Sequence, residues 1–168
     1  INHGETTILL PSEIGMETSN GHYGRKVRIK NTKSGKTDKT FKTGIYKKAE
    51  VRDNYHWLTI NTAEGYAMTF RAYNDGAAYR FETTAAGNMT VKNETSEYHF
   101  DGDYKTFVPY VNDNRGGEKW CYSFESYYDE APLSAMFADT LSITPLAVCL
   151  PNGMKAVIMD CGVEDYPG

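Results

Sequence analysis

Asp160 is the carboxylate whose setting in the sequence says most about chemistry. The apolar run Lys155-Ala-Val-Ile-Met159 leads straight into it, and Cys161-Gly162 and the acidic Glu164-Asp165 follow. A carboxylate at the mouth of a buried strand is held rigidly and can point into a cleft. A hard cation such as calcium needs six to eight oxygens, and one strand end supplies one or two of them. On the residues alone, the simpler role for Asp160 is to end the strand by capping the turn that follows. Asp101-Gly102-Asp103 and Asp113-Asn114 resemble fragments of calcium loops. Neither has the full ligand spacing, and turn chemistry accounts for both.

The other reactive side chains are dispersed. His3, His22, His56 and His99 stand far apart in the chain, with no metalloprotease helix motif, no nucleophile elbow and no glycine-rich phosphate loop around them. No self-sufficient catalytic set is assigned. Cys121, Cys149 and Cys161 are odd in number and lack metal-type spacing, so they read as small buried hydrophobes. Trp57, Trp120, Tyr127 and Tyr128 are candidates for stacking on sugar rings, although in a β domain most aromatics belong to the core. The substrate-binding residues are left unassigned. Asn88-Met89-Thr90 and Asn93-Glu94-Thr95 match glycosylation acceptors, a short pattern often met by chance.

These residues must be positioned by strands. The stretch Tyr66 to Glu82 predicts a β-hairpin. Tyr66, Met68, Phe70 and Ala72 fall on one face before the turn, as do Ala77, Tyr79 and Phe81 after it, and Arg71, Arg80 and Glu82 line the other. Asp75-Gly76 between the arms predicts a tight turn with φ > 0 at both central residues. Short strands are predicted over residues 6–10, from 14–16 onward, and over 25–30, the second half of 51–60, 97–100, 106–110 and 119–127. A last pair, 141–150 and 154–159, is joined by Pro151-Asn152-Gly153. In the 25–30 segment Val27 and Ile29 are expected to face inward. Residues 31–40, NTKSGKTDKT, are almost free of apolar side chains and read as an exposed loop, and residues 83–95 as a polar connection. Residues 129–138 read as a helical turn or a loop. Strands recurring about every ten residues with turns between them, and no amphipathic helix, indicate an all-β antiparallel sandwich or barrel.

The chain has 168 residues, 40% of them apolar and 24% charged, enough for one domain over residues 1–168 with a substantial core. Its 13 tyrosines agree with β structure. The net charge of −4, with no basic run beyond Lys47-Lys48, speaks against a nucleic-acid partner and leaves neutral ligands such as sugars open. No stretch approaches the length of about 18 apolar residues that a membrane span needs.

Four segments resemble the N-terminal domain of glycoside hydrolase family 97, in the same order along the chain. They are LPSEIGMET (10–18), EVRDNYHWLTI (50–60), FRAYNDGAAYRF (70–81) and MDCGVEDYPG (159–168). The resemblance implies a mutarotase-like β-sandwich, in truncated form here, that is non-catalytic on its own. The parent enzyme would be an exo-acting α-glucosidase or α-galactosidase of Gram-negative bacteria, usually periplasmic. Its catalytic carboxylates would lie on a C-terminal (β/α)₈ barrel of about 250 residues or more, its substrates would be oligosaccharides, and its active site would hold Ca²⁺. One calcium ligand in the family is a Glu of the closing motif, which aligns with Asp160. Asp keeps the charge but is one methylene shorter, so the ion would sit closer or a water would bridge. A stand-alone carbohydrate-binding module is the alternative reading, and a self-associating β domain without ligand is a third.

Overall fold

The computed structural model describes residues 1–84, 86–111, 127–138 and 140–162. Thirteen strands are present among them: β1 (Asn2–His3), β2 (Thr6–Thr7), β3 (Ile14–Thr18), β4 (Gly21–Tyr23), β5 (Ile29–Lys42), β6 (Glu50–Thr62), β7 (Tyr66–Ala72), β8 (Ala77–Thr83), β9 (Val91–Ser96), β10 (Lys105–Val108), β11 (Asp129–Pro132), β12 (Leu146–Cys149) and β13 (Lys155–Ile158). Two short 3₁₀ turns, Leu133–Ala135 and Pro151–Gly153, complete the regular structure, and no α-helix is present among the described residues. The strand ladders are antiparallel. The chain divides into two compact units, one centred on Pro11–His99 and the other on Phe100–Gly168 with Thr6–Leu10.

The first unit is an antiparallel β-sandwich, as expected. One sheet has the strand order β5-β6-β7-β8 and the other β4-β3-β9. The predicted hairpin, β7 and β8, forms one half of the first sheet. Met68 pairs with Phe81 and Phe70 with Tyr79 across β7 and β8, so the two apolar sets lie on one face. That face packs on the small sheet. Tyr23 of β4 stacks on Tyr66 of β7 with ring centroids 4.2 Å apart and planes 16° from parallel. Met68 shares this core, and Met16, Val27, Ile60, Phe70, Phe81 and Met89 pack around it. Burying aromatic side chains of this size from two facing sheets is the main apolar gain available to the unit.

The opposite face of the hairpin carries a polar ladder. Thr69 Oγ1 donates to Glu82 Oε1 at 2.7 Å, Arg80 Nε donates to the same oxygen at 2.8 Å, and Thr59 and Thr69 share a hydrogen bond of 3.0 Å. The Thr69 hydroxyl, with help from Arg80, holds the Glu82 carboxyl below its ordinary value. A carboxylate stabilised in the folded state contributes fully above its unfolded pKa, and the contribution is lost as pH falls through the lower folded value. Glu82→Gln is therefore expected to leave the urea midpoint near neutral pH lower than in the parent, and to narrow the gap between them below about pH 4. Urea titrations across that range check this. A gap that stays constant with pH refutes it.

Several sequence expectations are corrected. Residues 31–40 are not a loop but lie within β5, which pairs with β6 continuously from Thr32↔Ile60 to Lys42↔Glu50. Most β5 side chains are exposed on both faces. Hydrophobic alternation reports one-sided burial, and a two-sided polar edge strand gives none. Ile29, expected to face inward, is 62% exposed at the start of that strand, while Val27 does pack on the core. The hairpin turn is centred on Asn74-Asp75, closed by Tyr73 N–H donating to Gly76 O at 2.8 Å. None of these residues has positive φ, so the Asp-Gly turn chemistry is not used. Residues 83–95 include β9, which pairs with β3. Residues 97–100 form no strand, and the predicted 6–10 strand shrinks to β2. Most of the predicted strand over 119–127 lies outside the described residues.

The second unit holds one sheet, ordered β11-β10-β12-β13. Thr106, Val108 and Val148 are fully buried on one face, and Tyr110 and Leu150 extend that core. The Thr106 hydroxyl is satisfied by Ala131 O at 2.8 Å, which lets a polar side chain sit in the core. The segment 129–138, expected to be a helical turn or a loop, is β11 followed by the Leu133–Ala135 turn.

Candidate functional site

Asp160 is positioned by the β12–β13 pair. Leu146 pairs with Ile158 and Cys149 with Lys155, and the connection turns through Pro151–Gly153. Proline at the start of that turn fixes φ, and Gly153 takes φ 77°. Leu150 N–H donates to Met154 O at 2.9 Å and closes the loop. Val148 and Leu150 anchor the pair in the core, so the exit of β13 has a fixed direction.

Asp160 lies two residues beyond Ile158, and its side chain is exposed. Thr144 Oγ1 donates to Asp160 Oδ2 at 3.3 Å. The other oxygen carries no hydrogen bond among the described residues. No group of three or more His, Cys, Asp and Glu side chains placed to hold a metal ion exists among the described residues. Among the described residues, Asp160 therefore offers a metal one ligand, an accessible carboxylate with a tether on one oxygen. Glu164 and Asp165 lie outside the described residues.

The remaining acidic candidates have structural duties. Asp103 accepts from Ser134 N–H at 2.8 Å and from Ser134 Oγ at 2.7 Å, which lowers its pKa. Asp101 accepts from the Tyr104 hydroxyl at 2.7 Å, and that bond raises the tyrosine. The Asp101 contact is local, as turn chemistry predicts, whereas Asp103 is held by a residue 31 positions away, which the sequence did not indicate. Asp113-Asn114 lies outside the described residues. All four histidines are exposed. Cys149 is half-buried and Cys161 exposed, both as free thiols, so Cys161 is not the buried hydrophobe expected of it. Cys121 lies outside the described residues.

Among the aromatic candidates, Trp57 is half-buried on β6 with its ring against Gly35 of the neighbouring strand, where a Cβ would come within 2.7 Å of the ring. Covering a cross-strand glycine is a structural task for an aromatic ring. Tyr127 is 95% exposed and Tyr128 partly so, and Trp120 lies outside the described residues.

One surface feature has no counterpart among the sequence expectations. β7 pairs with β6 only from His56 to Asn61, while β5 and β6 pair on to Lys42↔Glu50. The outer ends of β5 and β6 therefore form a two-stranded arm. Arg52 grips Asp38 with two hydrogen bonds, at 2.8 and 2.7 Å, and holds that carboxyl low. The signal that could have found it is charge spacing. Eleven of the 18 Lys and Arg residues lie from Arg25 to Arg52, with only Asp38 and Glu50 opposing them.

Residues 1–168 match the glycosyl-hydrolase 97 N-terminal family along their whole length. The chain belongs to that family. Over 165 residues it is 34% identical to a retaining alpha-galactosidase of Bacteroides thetaiotaomicron, a match covering 96% of this chain and 25% of that protein. This family 97 domain thus spans about a quarter of the length of that relative. Its fold is shared with a beta-arabinopyranosidase (TM-score 0.76, 20% identity, 90% of this chain and 26% of that one). It is shared also with a glycoside hydrolase family 97 enzyme from Pseudoalteromonas sp. strain K8 in complex with acarbose (TM-score 0.68, 17% identity, 90% and 23% covered).

Proposed function

We propose that residues 1–168 form the non-catalytic N-terminal domain of a retaining α-galactosidase or a closely related exo-acting α-glycosidase. In this reading the domain braces a C-terminal (β/α)₈ barrel that carries the catalytic carboxylates and takes oligosaccharide substrates. The full-length protein works in the periplasm. Asp160 contributes one carboxylate to a calcium site whose other ligands come from the barrel. The observation that carries the reading is the 34% identity with a retaining alpha-galactosidase over nearly the whole chain. The exposed, singly tethered carboxylate of Asp160 supports the calcium role, since it leaves an oxygen accessible to a hard cation.

The full-length protein is expected to hydrolyse p-nitrophenyl α-galactopyranoside, and the 1–168 chain alone to show no turnover. Calorimetric titration of the 1–168 chain with melibiose and maltose separates scaffold from binding module. A flat trace is expected. Saccharide binding at millimolar concentration or below would instead make the domain a carbohydrate-binding module, and failure of the full-length protein to cleave α-galactosides and α-glucosides would refute the assignment.

A further inference from the structure

We propose that the tip of the β5–β6 arm is a docking element for an anionic lipid surface. The arm ends in the loop 43–49, closed by Thr43 N–H to Ala49 O at 3.0 Å and by the Thr43 hydroxyl to Lys48 O. Ile45 at its tip is fully exposed (105%), Tyr46 is 56% exposed and Phe41, at the end of β5, is 47% exposed. Lys39, Lys42, Lys47 and Lys48 surround them, and no acidic residue occurs from Lys39 to Ala49. None of the four lysines makes an ion pair among the described residues. An apolar tip inside a basic collar matches a membrane interface. Aliphatic and aromatic side chains enter the headgroup region there, and lysines meet anionic headgroups on flexible stems.

Edge protection and a protein partner each match the tip less well. Lysines on an edge strand discourage pairing with another sheet, which accounts for the charges along β5 but not for the bare Ile45 and Tyr46 beyond it. Protein interfaces deplete lysine at their centres and favour arginine, and this collar is lysine alone. The element lies on a bilayer rather than crossing it, and no helix among the described residues is long and apolar enough to cross one.

The test uses the full-length protein and sonicated vesicles of phosphatidylcholine, with and without 30 mole-percent phosphatidylglycerol (roughly the anionic fraction at which polybasic attraction is felt). Co-sedimentation is expected with the anionic vesicles only, weakening as salt rises. Ile45→Asp with Tyr46→Asp, and separately Lys47→Glu with Lys48→Glu, should each reduce binding at least about tenfold. Both pairs lie on the exposed loop, so the circular dichroism spectrum should not change. The proposal is overturned by absence of co-sedimentation, by equal binding to neutral vesicles, or by binding that survives the Ile45 and Tyr46 changes. It is overturned as well if those changes dissociate an oligomer in sedimentation velocity while leaving vesicle binding intact, since the tip then meets a protein.

Discussion

Gly24→Ala is expected to destabilise the protein by roughly 3–5 kcal/mol, the range reserved for changes that break a specific structural device. Gly24 follows β4 with φ +88°, a region that L side chains rarely adopt and that costs them about 1–2 kcal/mol. A Cβ there would lie 2.3 Å from Ile14 O and 3.0 Å from Gly15 Cα. Both atoms are backbone of β3, which is paired on both sides, with β4 and with β9, so neither can yield cheaply. The same glycine donates its N–H to the Tyr66 hydroxyl at 2.9 Å. Tyr66 is 2% exposed, so a displaced Gly24 leaves a buried hydroxyl short of a partner at about 1–3 kcal/mol. Gly65→Ala is the control. Gly65 has φ +85°, but nothing lies within 4 Å of its added Cβ, so only the conformational cost of about 1–2 kcal/mol applies. Equilibrium unfolding in urea compares the two. Equal losses would mean that the close approach to β3 is not what makes Gly24 necessary.

The contrast between those two glycines shows where sequence reading reaches and where it stops. Gly24 and Gly65 look alike in sequence, and what distinguishes them is the approach of β3, with Ile14 ten residues upstream of Gly24, and the Tyr66 hydroxyl. The Tyr66–Thr83 hairpin was legible because it buries one face, and burial on one face writes a period of two into the sequence; the β12–β13 pair was legible as two short apolar runs around Pro151-Asn152-Gly153. β5 buries neither face along most of its length. Its backbone bonds go to β6, and no side-chain pattern records them. The basic arm was missed for a related reason. Contiguous basic pairs are only Arg25-Lys26 and Lys47-Lys48, whereas strand geometry gathers lysines spaced three apart along one edge. Asp160 was legible as a strand-end carboxylate, because an apolar run stops there. Its tether, Thr144, is sixteen residues earlier and becomes a neighbour only through the folding of β12 against β13.

That tether shapes the second large effect. In the calcium-depleted full-length protein, Asp160→Asn is expected to weaken calcium binding by at least about 10- to 100-fold, a loss that even residues behind the ligands can cause. Asn keeps an oxygen that can accept from Thr144 Oγ1, and it keeps the side-chain volume. It removes one negative charge, and ligand charge count is a main determinant of calcium affinity. The folding of the 1–168 chain should therefore change little, within about 0.5 kcal/mol, as for an exposed surface substitution. Asp160→Glu restores the charge and adds one methylene, matching the Glu that the family resemblance implies at this position, so under the proposed calcium role its affinity should equal or exceed the parent's. Calorimetric titration of calcium reads the affinity directly, and urea unfolding in chelator reads the fold. If Asp160 serves only to cap the turn after β13, the pattern inverts. Asp160→Ala then lowers the urea midpoint in chelator, and the calcium affinity of Asp160→Asn stays at the parent value, which removes Asp160 from the metal site.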